Sequence, residues 1–326
     1  MNDKIYETLK SYNESIKDKT IKKYTSNIIN LKKYLEYKKN DLNFIKNKEK
    51  ILDILEKKKY SIQTKNSYIV ACLQVAKAFK FDNSLINFYI QQIKKYNMEI
   101  KTKYLKQEKS EKQEKNWVKW ENLIKFYKKY RRKVRKMRLT KKEKLTSDEF
   151  LLVQNMVILS CYFSDDSNPP RRNIYSSLLI KYKKDKDKLE DDKNYILIQS
   201  ARVKYFLFND YKTVKNYGKQ KIKINKYLNN DINLYLRFNK TPYFLPSKNK
   251  KRPMLSEEMT TRLKELFFSE FKKNISTQMI RQIFMSHIHK DTPKITYLKE
   301  LSKNMGHSMF TGMSNYSKKD KKNLEV

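Results

Sequence analysis

YILIQSARVKYFLFNDYKTVKNYGKQKIKIN, residues 195–225, holds three short segments rich in aromatic and β-branched residues: Tyr195–Gln199 (YILIQ), Lys204–Asn209 (KYFLFN) and Lys219–Asn225 (KQKIKIN). Runs of that length between polar turns read as strands. Together they predict a small antiparallel sheet, and everything outward from them reads as helix. On the N-terminal side, Phe150–Phe163 has the pattern of a buried helix. Further back, WVKWENLIKFYKKY opens a helix near Trp117 that runs into the densely basic RRKVRKMRLTKKEK. On the C-terminal side the chain reads helical again from Leu255 onward.

The first hundred residues are helical by pattern. Thr20–Tyr37 (TIKKYTSNIINLKKYLEY) places Ile21, Tyr24, Ile28, Leu31, Tyr34 and Leu35 at helical spacing. A second amphipathic run covers Thr64–Phe79, with Ser61 and Thr64 as candidate caps, and a third covers Ser84–Tyr96. Four or five helices are expected here. Residues 101–116 (KTKYLKQEKSEKQEKN) are nearly devoid of apolar side chains, as befits a charged linker or a charged helix joining domains. The expected class is therefore mainly α with a small antiparallel β-sheet. An all-helical N-terminal domain (1–100) is followed by a linker (101–116) and an α+β domain (117–326).

The 326 residues carry 75 basic and 35 acidic side chains, a formal charge of +40. A folded chain this cationic repels itself unless a polyanion is near, and nucleic acid fits, because each neutralised phosphate releases condensed counterions. Lys, Asn and Ile are all abundant, as AT-rich coding would produce, but that bias does not explain why Asp and Glu fail to keep pace. Cys72 and Cys161 lie far apart without metal-type spacing and read as small buried hydrophobes of a reducing compartment. Three histidines (His287, His289, His307) and no CxxC argue against a zinc site, so no metal is expected. With three glycines there is no room for a Gly-rich nucleotide loop. The polar start, MNDKIYETLKSYNE, is not a signal peptide, and no run reaches the length of a membrane span. A soluble intracellular protein of cytoplasm or nucleus is expected, with no membrane and no small-molecule substrate.

The segment LSKNMGHSMFTGMSNY (301–316) holds Gly306, His307 and Ser308, then Tyr316 nine residues after the histidine. One tyrosine among 24 signifies little, and a packing or surface aromatic is the default. The pair at this spacing, near the end of a basic chain, resembles the closing motif of tyrosine recombinases of the phage integrase type, and also that of type IB topoisomerases. STQMIRQIF (276–284) resembles the family's HxxR box, with Arg281 at its arginine. NPPRRNIYSSL (168–178) resembles the first-arginine box. YKTVKNYGKQKIKIN (211–225) resembles the β-hairpin that carries the family's lysine, here Lys212. KTIKKYTSNIINLKKYL resembles the first helix of the core-binding domain, which clamps the far side of DNA. The boxes keep the family's order along nearly the whole chain.

The resemblance implies an enzyme that cleaves and rejoins DNA through a 3′-phosphotyrosyl intermediate, with Tyr316 as nucleophile and no cofactor or metal. Arg172 and Arg281 would clamp the phosphate, since guanidinium is planar, permanently charged and bidentate toward phosphate. His307 would bind the phosphate or assist the tyrosine proton, and Lys212 would protonate the departing 5′ oxygen. Of the adjacent pair, the register of Pro170 and Arg171 favours Arg172 as catalytic and leaves Arg171 on the DNA backbone. Lys215, Lys219, Arg131, Arg132 and Arg135 are the other candidate DNA contacts, although a solvated charged surface is the default for the run at 128–144. At the histidine position of the HxxR box stands Gln278, which can orient a phosphate but cannot carry charge or move a proton. His287 and His289 lie six and eight residues beyond Arg281, off its helix face.

The expected partner is double-stranded DNA, bound as a clamp by a homotetramer and used for integration, excision or resolution by a virus or mobile element. Ten mostly polar residues follow Tyr316, a short tail for exchange between protomers. Two other readings are a type IB topoisomerase-like relaxing enzyme and a catalytically weakened DNA-binding protein.

Overall fold

The computed structural model describes residues 1–165, 169–291 and 294–318. Asn168 of the first-arginine box and most of the tail, 319–326, lie outside the described residues. Two compact units divide the chain, Met1–Lys106 and Gln107–Val326.

Five helices make the first unit: α1 (Asn2–Tyr12), α2 (Asp18–Tyr34), α3 (Lys48–Lys57), α4 (Ile62–Ala78) and α5 (Asn83–Leu105). Helical spacing puts Ile21, Ile28 and Leu31 of α2 into one core with Tyr68, Ile69, Cys72 and Val75 of α4. Ser61 caps α4 by accepting a hydrogen bond from the Thr64 N–H at 3.3 Å. The charged run expected to link domains is largely helical. It extends α5 to Leu105, then forms α6 (Glu111–Asn116), closed at its start by a Ser110–Gln113 capping box.

In the second unit, α7 (Trp120–Lys136) and α8 (Ser147–Phe163) precede four strands: β1 (Leu179–Tyr182), β2 (Tyr195–Ile198), β3 (Lys204–Phe208) and β4 (Gln220–Lys223). The short helix α9 (Val214–Tyr217) sits between the last two, and α10 (Lys226–Phe238), α11 (Ser256–Phe271), α12 (Thr277–Ile288), α13 (Ile295–Asn304) and α14 (Met309–Thr311) follow. The fold class is as expected, mainly helical with a small sheet. The sheet itself differs in one respect. Strands β2, β3 and β4 pair antiparallel, but β1 adds parallel to β2 with Leu179 opposite Tyr195, which makes it mixed. LIKY is too short to show a period of its own. After the paired arginines the chain makes a 3-10 turn, Asn173–Ser177. The sheet's inner face supplies Ile196, Phe206 and Phe208 to a core built with α7, α8, α10, α11 and α12. Among the described residues no helix is long and apolar enough to cross a membrane.

Candidate active site

Helix α8 is capped by a Thr146–Glu149 box and is buried along nearly its whole length, so it holds the chain that leaves it in a fixed place. Pro169 and Pro170 bar further helix, and Arg172 follows in extended backbone at ψ 176°. Neighbouring residues of extended chain point opposite ways, which separates the two arginines. Arg171 turns into the interior, with its guanidinium carbon 4.2 Å from the Phe208 ring centre and Nη2 donating to Gln220 Oε1 at 2.6 Å. Burial lowers its pKa to about 10. The side chain, expected on the DNA backbone, is only 3% exposed. Arg172 turns the other way and its Nη1 donates to the carbonyl of Gly306 at 3.3 Å.

That carbonyl belongs to a tight turn after α13. Gly306 has φ +70°, a left-handed conformation that side chains resist. The turn lets His307 N–H return to the carbonyl of Ser302 at 3.0 Å. Thr213 Oγ1 also donates to Gly306 O, at 2.7 Å. The loop between β3 and β4, which carries Lys212, is thereby tied to the loop that carries His307.

His307 is buried. Its Nδ1 lies 2.9 Å from the carbonyl of Ser308, which can only accept, so Nδ1 carries the proton and Nε2 is left with a lone pair. That Nε2 is buried without a hydrogen-bond partner. Burial pushes the pKa of His307 down to about 4, with Arg281 and Arg172 pushing the same way, so the ring is neutral at neutral pH. The imidazole lies against Tyr316, with ring centres 4.8 Å apart.

Tyr316 closes a wide π-type turn, Gly312–Tyr316. A Cβ on Gly312 would stand 3.0 Å from Met285 Cε, 3.1 Å from His307 Cε1 and 3.2 Å from Ser302 Oγ, so a bare backbone is what allows the turn this close to the histidine. The turn is pinned by Gln107 Nε2 on Met313 O and by the Lys318 N–H on Ser286 Oγ.

Arg281 comes from the second turn of α12, whose first turn is capped by Ser276. It is 1% exposed. Nη1 donates to Tyr316 Oη at 2.6 Å, Nη2 donates to Met305 O at 3.2 Å, and Nε has no partner. Burial lowers its pKa to about 10, and the Tyr316 phenol beside it acts in the opposite sense. The fold thus gathers Arg172, Arg281, His307 and Tyr316 from three separate stretches of sequence. Together these groups form a buried phenol, a neutral imidazole with an open nitrogen, and two forked cations. Such a set can hold an oxyanion and take a proton from the phenol.

The other expected residues are more dispersed. Lys212 is exposed on the β3–β4 connection, beside Thr213. Lys204, at the start of β3, is buried with Nζ on Ala201 O, Asn229 Oδ1 and Asn233 Oδ1 at 2.9, 2.8 and 2.6 Å, and burial lowers its pKa to about 8. Gln278 is exposed in the first turn of α12. Lys215 and Arg132 are exposed, and Lys219 is exposed and paired with Asp191. Arg131 and Arg135 instead meet the fully buried Asp231, Arg131 Nε at 2.8 Å from both oxygens and Arg135 Nη2 at 3.1 Å from one. Tyr127 and Ser160 complete that network.

Sequence reasoning missed Thr213, Ser302 and Gly312. Of these only Gly312 had a signal, as one of three glycines in 326 residues. Among the described residues no three His, Cys, Asp or Glu side chains come together as metal ligands.

Neither protein-family models nor curated proteins give a match to this chain. Among solved structures the chain is similar to XerA recombinase, at 12% sequence identity and a TM-score of 0.38, over 98% of this chain and 96% of that one. A likeness that distant says nothing of activity.

Proposed function

We propose that the chain cleaves and rejoins DNA by transesterification at Tyr316, as a site-specific recombinase. The observation that carries this reading is the 2.6 Å hydrogen bond from Arg281 to the Tyr316 hydroxyl, beside the unpartnered Nε2 of a neutral His307. A phosphate oxygen would replace the phenol as the acceptor of Arg281, and Arg172 would hold a second oxygen. The phenol oxygen then attacks phosphorus while His307 Nε2 takes its proton. The bond from phosphorus to the 5′ oxygen breaks, and Lys212 supplies the proton to that leaving group. Reversal of the same steps rejoins the strand, since the phosphotyrosine stores the bond. Gln278 would orient the phosphate. The helical first unit would act as the DNA clamp and the second as the catalytic domain, with assembly as a tetramer on paired sites.

The test is a nicked suicide duplex, from which the cleaved end is lost by diffusion. Wild type is expected to form a denaturation-resistant adduct and Tyr316→Phe none. Adduct that persists in Tyr316→Phe removes the nucleophile assignment. No adduct with wild type removes the enzyme reading and leaves a DNA-binding protein, and relaxation of a plasmid without a specific site by a monomer marks a topoisomerase.

A further inference from the structure

The chain uses its two permanent cations unevenly. Of its 75 lysines and arginines 11 are arginine, so 75 − 11 = 64 are lysine. Where only a positive charge is needed, such a composition supplies lysine. An arginine therefore marks a place that needs the planar fork of a guanidinium. Seven of the eleven have such a place. Arg171, Arg172 and Arg281 are described above. Arg131 and Arg135 hold Asp231, Arg252 bonds Glu258 twice at 2.8 Å, and Arg262 reaches Gln154 and Asn155 at 3.4 and 3.3 Å.

The remaining four are Arg132, whose Nε meets the Lys128 carbonyl at 3.3 Å, Arg138, Arg202, and Arg237, whose Nη2 lies 3.5 Å from the Lys142 carbonyl with the rest of its fork open, and two of them converge. Arg138 and Arg237 line a single cleft of about 560 Å³ between the C-terminal end of α7 and the face of α10. Arg135, Thr140, Asn230 and Asn233 supply the rest of its polar lining, and no carboxylate is among the lining residues. Asp231, behind Arg135, already has both oxygens on Arg131 at 2.8 Å. Arg135 lends it one nitrogen at 3.1 Å and keeps 46% of its side chain exposed.

A cation at a helix C-terminus is favoured by the macrodipole, which could account for arginines at the ends of α7 and α10. Lysine meets that need elsewhere in this chain, in the last turns of α2, α3, α4, α5 and α13. The left-handed residue just past α3 is Lys59 and past α4 is Lys80, whereas past α7 it is Arg138. The dipole explains a charge there but not the choice of guanidinium.

We infer that this cleft is an oxyanion site that takes a phosphate group in the forks of Arg138 and Arg237, with Arg135 alongside. The phosphate can belong to a nucleic-acid backbone or to a small phosphorylated molecule, and the volume suits either. The site shares no residue with Tyr316 and stands whether or not Tyr316 is a nucleophile.

The probe is inorganic tripolyphosphate, titrated calorimetrically into the full chain at about 0.3 M salt to screen diffuse attraction. The variant is Arg138→Lys with Arg237→Lys, which keeps the net charge. Wild type should bind one equivalent saturably, and the variant about tenfold or more weakly, because lysine cannot make the bidentate contact. A second titration uses duplex DNA of arbitrary sequence. If backbone phosphate is the natural occupant, the variant also binds duplex more weakly and its log–log salt slope falls by about 1. If the occupant is a free phosphorylated molecule, duplex binding stays unchanged while tripolyphosphate binding is lost. Should the double variant melt early, Arg237→Lys alone, at an exposed position, gives the same charge-conserving comparison. Equal tripolyphosphate affinity in wild type and variant, or many weak equivalent sites in wild type, overturns the assignment.

Discussion

Acidification should unfold the second unit through His307, by an amount the structure sets. The ring is buried with Nδ1 on a carbonyl and Nε2 unpaired, and its pKa falls from 6.5 to about 4 on folding. A histidine depressed in this way favours the fold when neutral. Its contribution is fully present above the unfolded pKa and is lost as pH falls from 6.5 toward about 4, because the unfolded chain binds the proton first. Proton linkage makes the loss about 2 kcal/mol at pH ~5 and about 3 kcal/mol once both states are protonated. For a unit of this size that is a fall in Tm of about 4–8 °C at pH ~5. The assay is thermal melting followed by circular dichroism from pH ~7.5 to ~4.5, for wild type and His307→Gln, each referred to its own value at the upper pH. Glutamine cannot titrate, so its curve should be flatter by that amount. His289, whose pKa burial also lowers, contributes equally to both proteins and drops out. Parallel curves would refute the reasoning, since they would mean that the folded ring accepts a proton as readily as the unfolded one.

Gly312→Ala places a methyl 3.1 Å from His307 Cε1 and 3.2 Å from Ser302 Oγ, so the Tyr316 turn must shift. Adduct formation should fall about 100-fold with the far-ultraviolet spectrum unchanged. Asp231→Asn leaves Arg131 and Arg135 against a neutral group at a fully buried position, and chemical denaturation should show a loss of about 3 kcal/mol. Arg171→Lys should lower stability through the lost stack on Phe208 and bond to Gln220. Arg172→Lys should instead leave the melt unchanged and reduce adduct formation. The opposite pattern would exchange the two arginines' assignments.

Helices buried on one face were legible from a period near 3.6, which α2 carries in its own residues, whereas α8, buried on every side, was legible as a long apolar run. Strands β2, β3 and β4 were legible as short apolar runs between polar turns. Strand β1 was not, because four residues show no period and its parallel partner begins 16 positions later. The parallel pairing is a choice among sheet edges, which local sequence does not encode.

The sequence by itself determined the helical class with a small sheet, the cationic surface, and the order in which Arg172, Lys212, Arg281, His307 and Tyr316 follow one another. Tertiary structure decided what each charged side chain meets. It buried Arg171 on Phe208, committed Arg131 and Arg135 to Asp231, enclosed Lys204 among amides and carbonyls, and left Lys212 and Gln278 exposed. The physical reason is that a charge is stable in a protein only with water or a partner around it, and the partner comes from another part of the chain. For the same reason the closeness of Arg281 to the Tyr316 hydroxyl, 35 residues away, exists only once α12 and the turn after α14 are packed together.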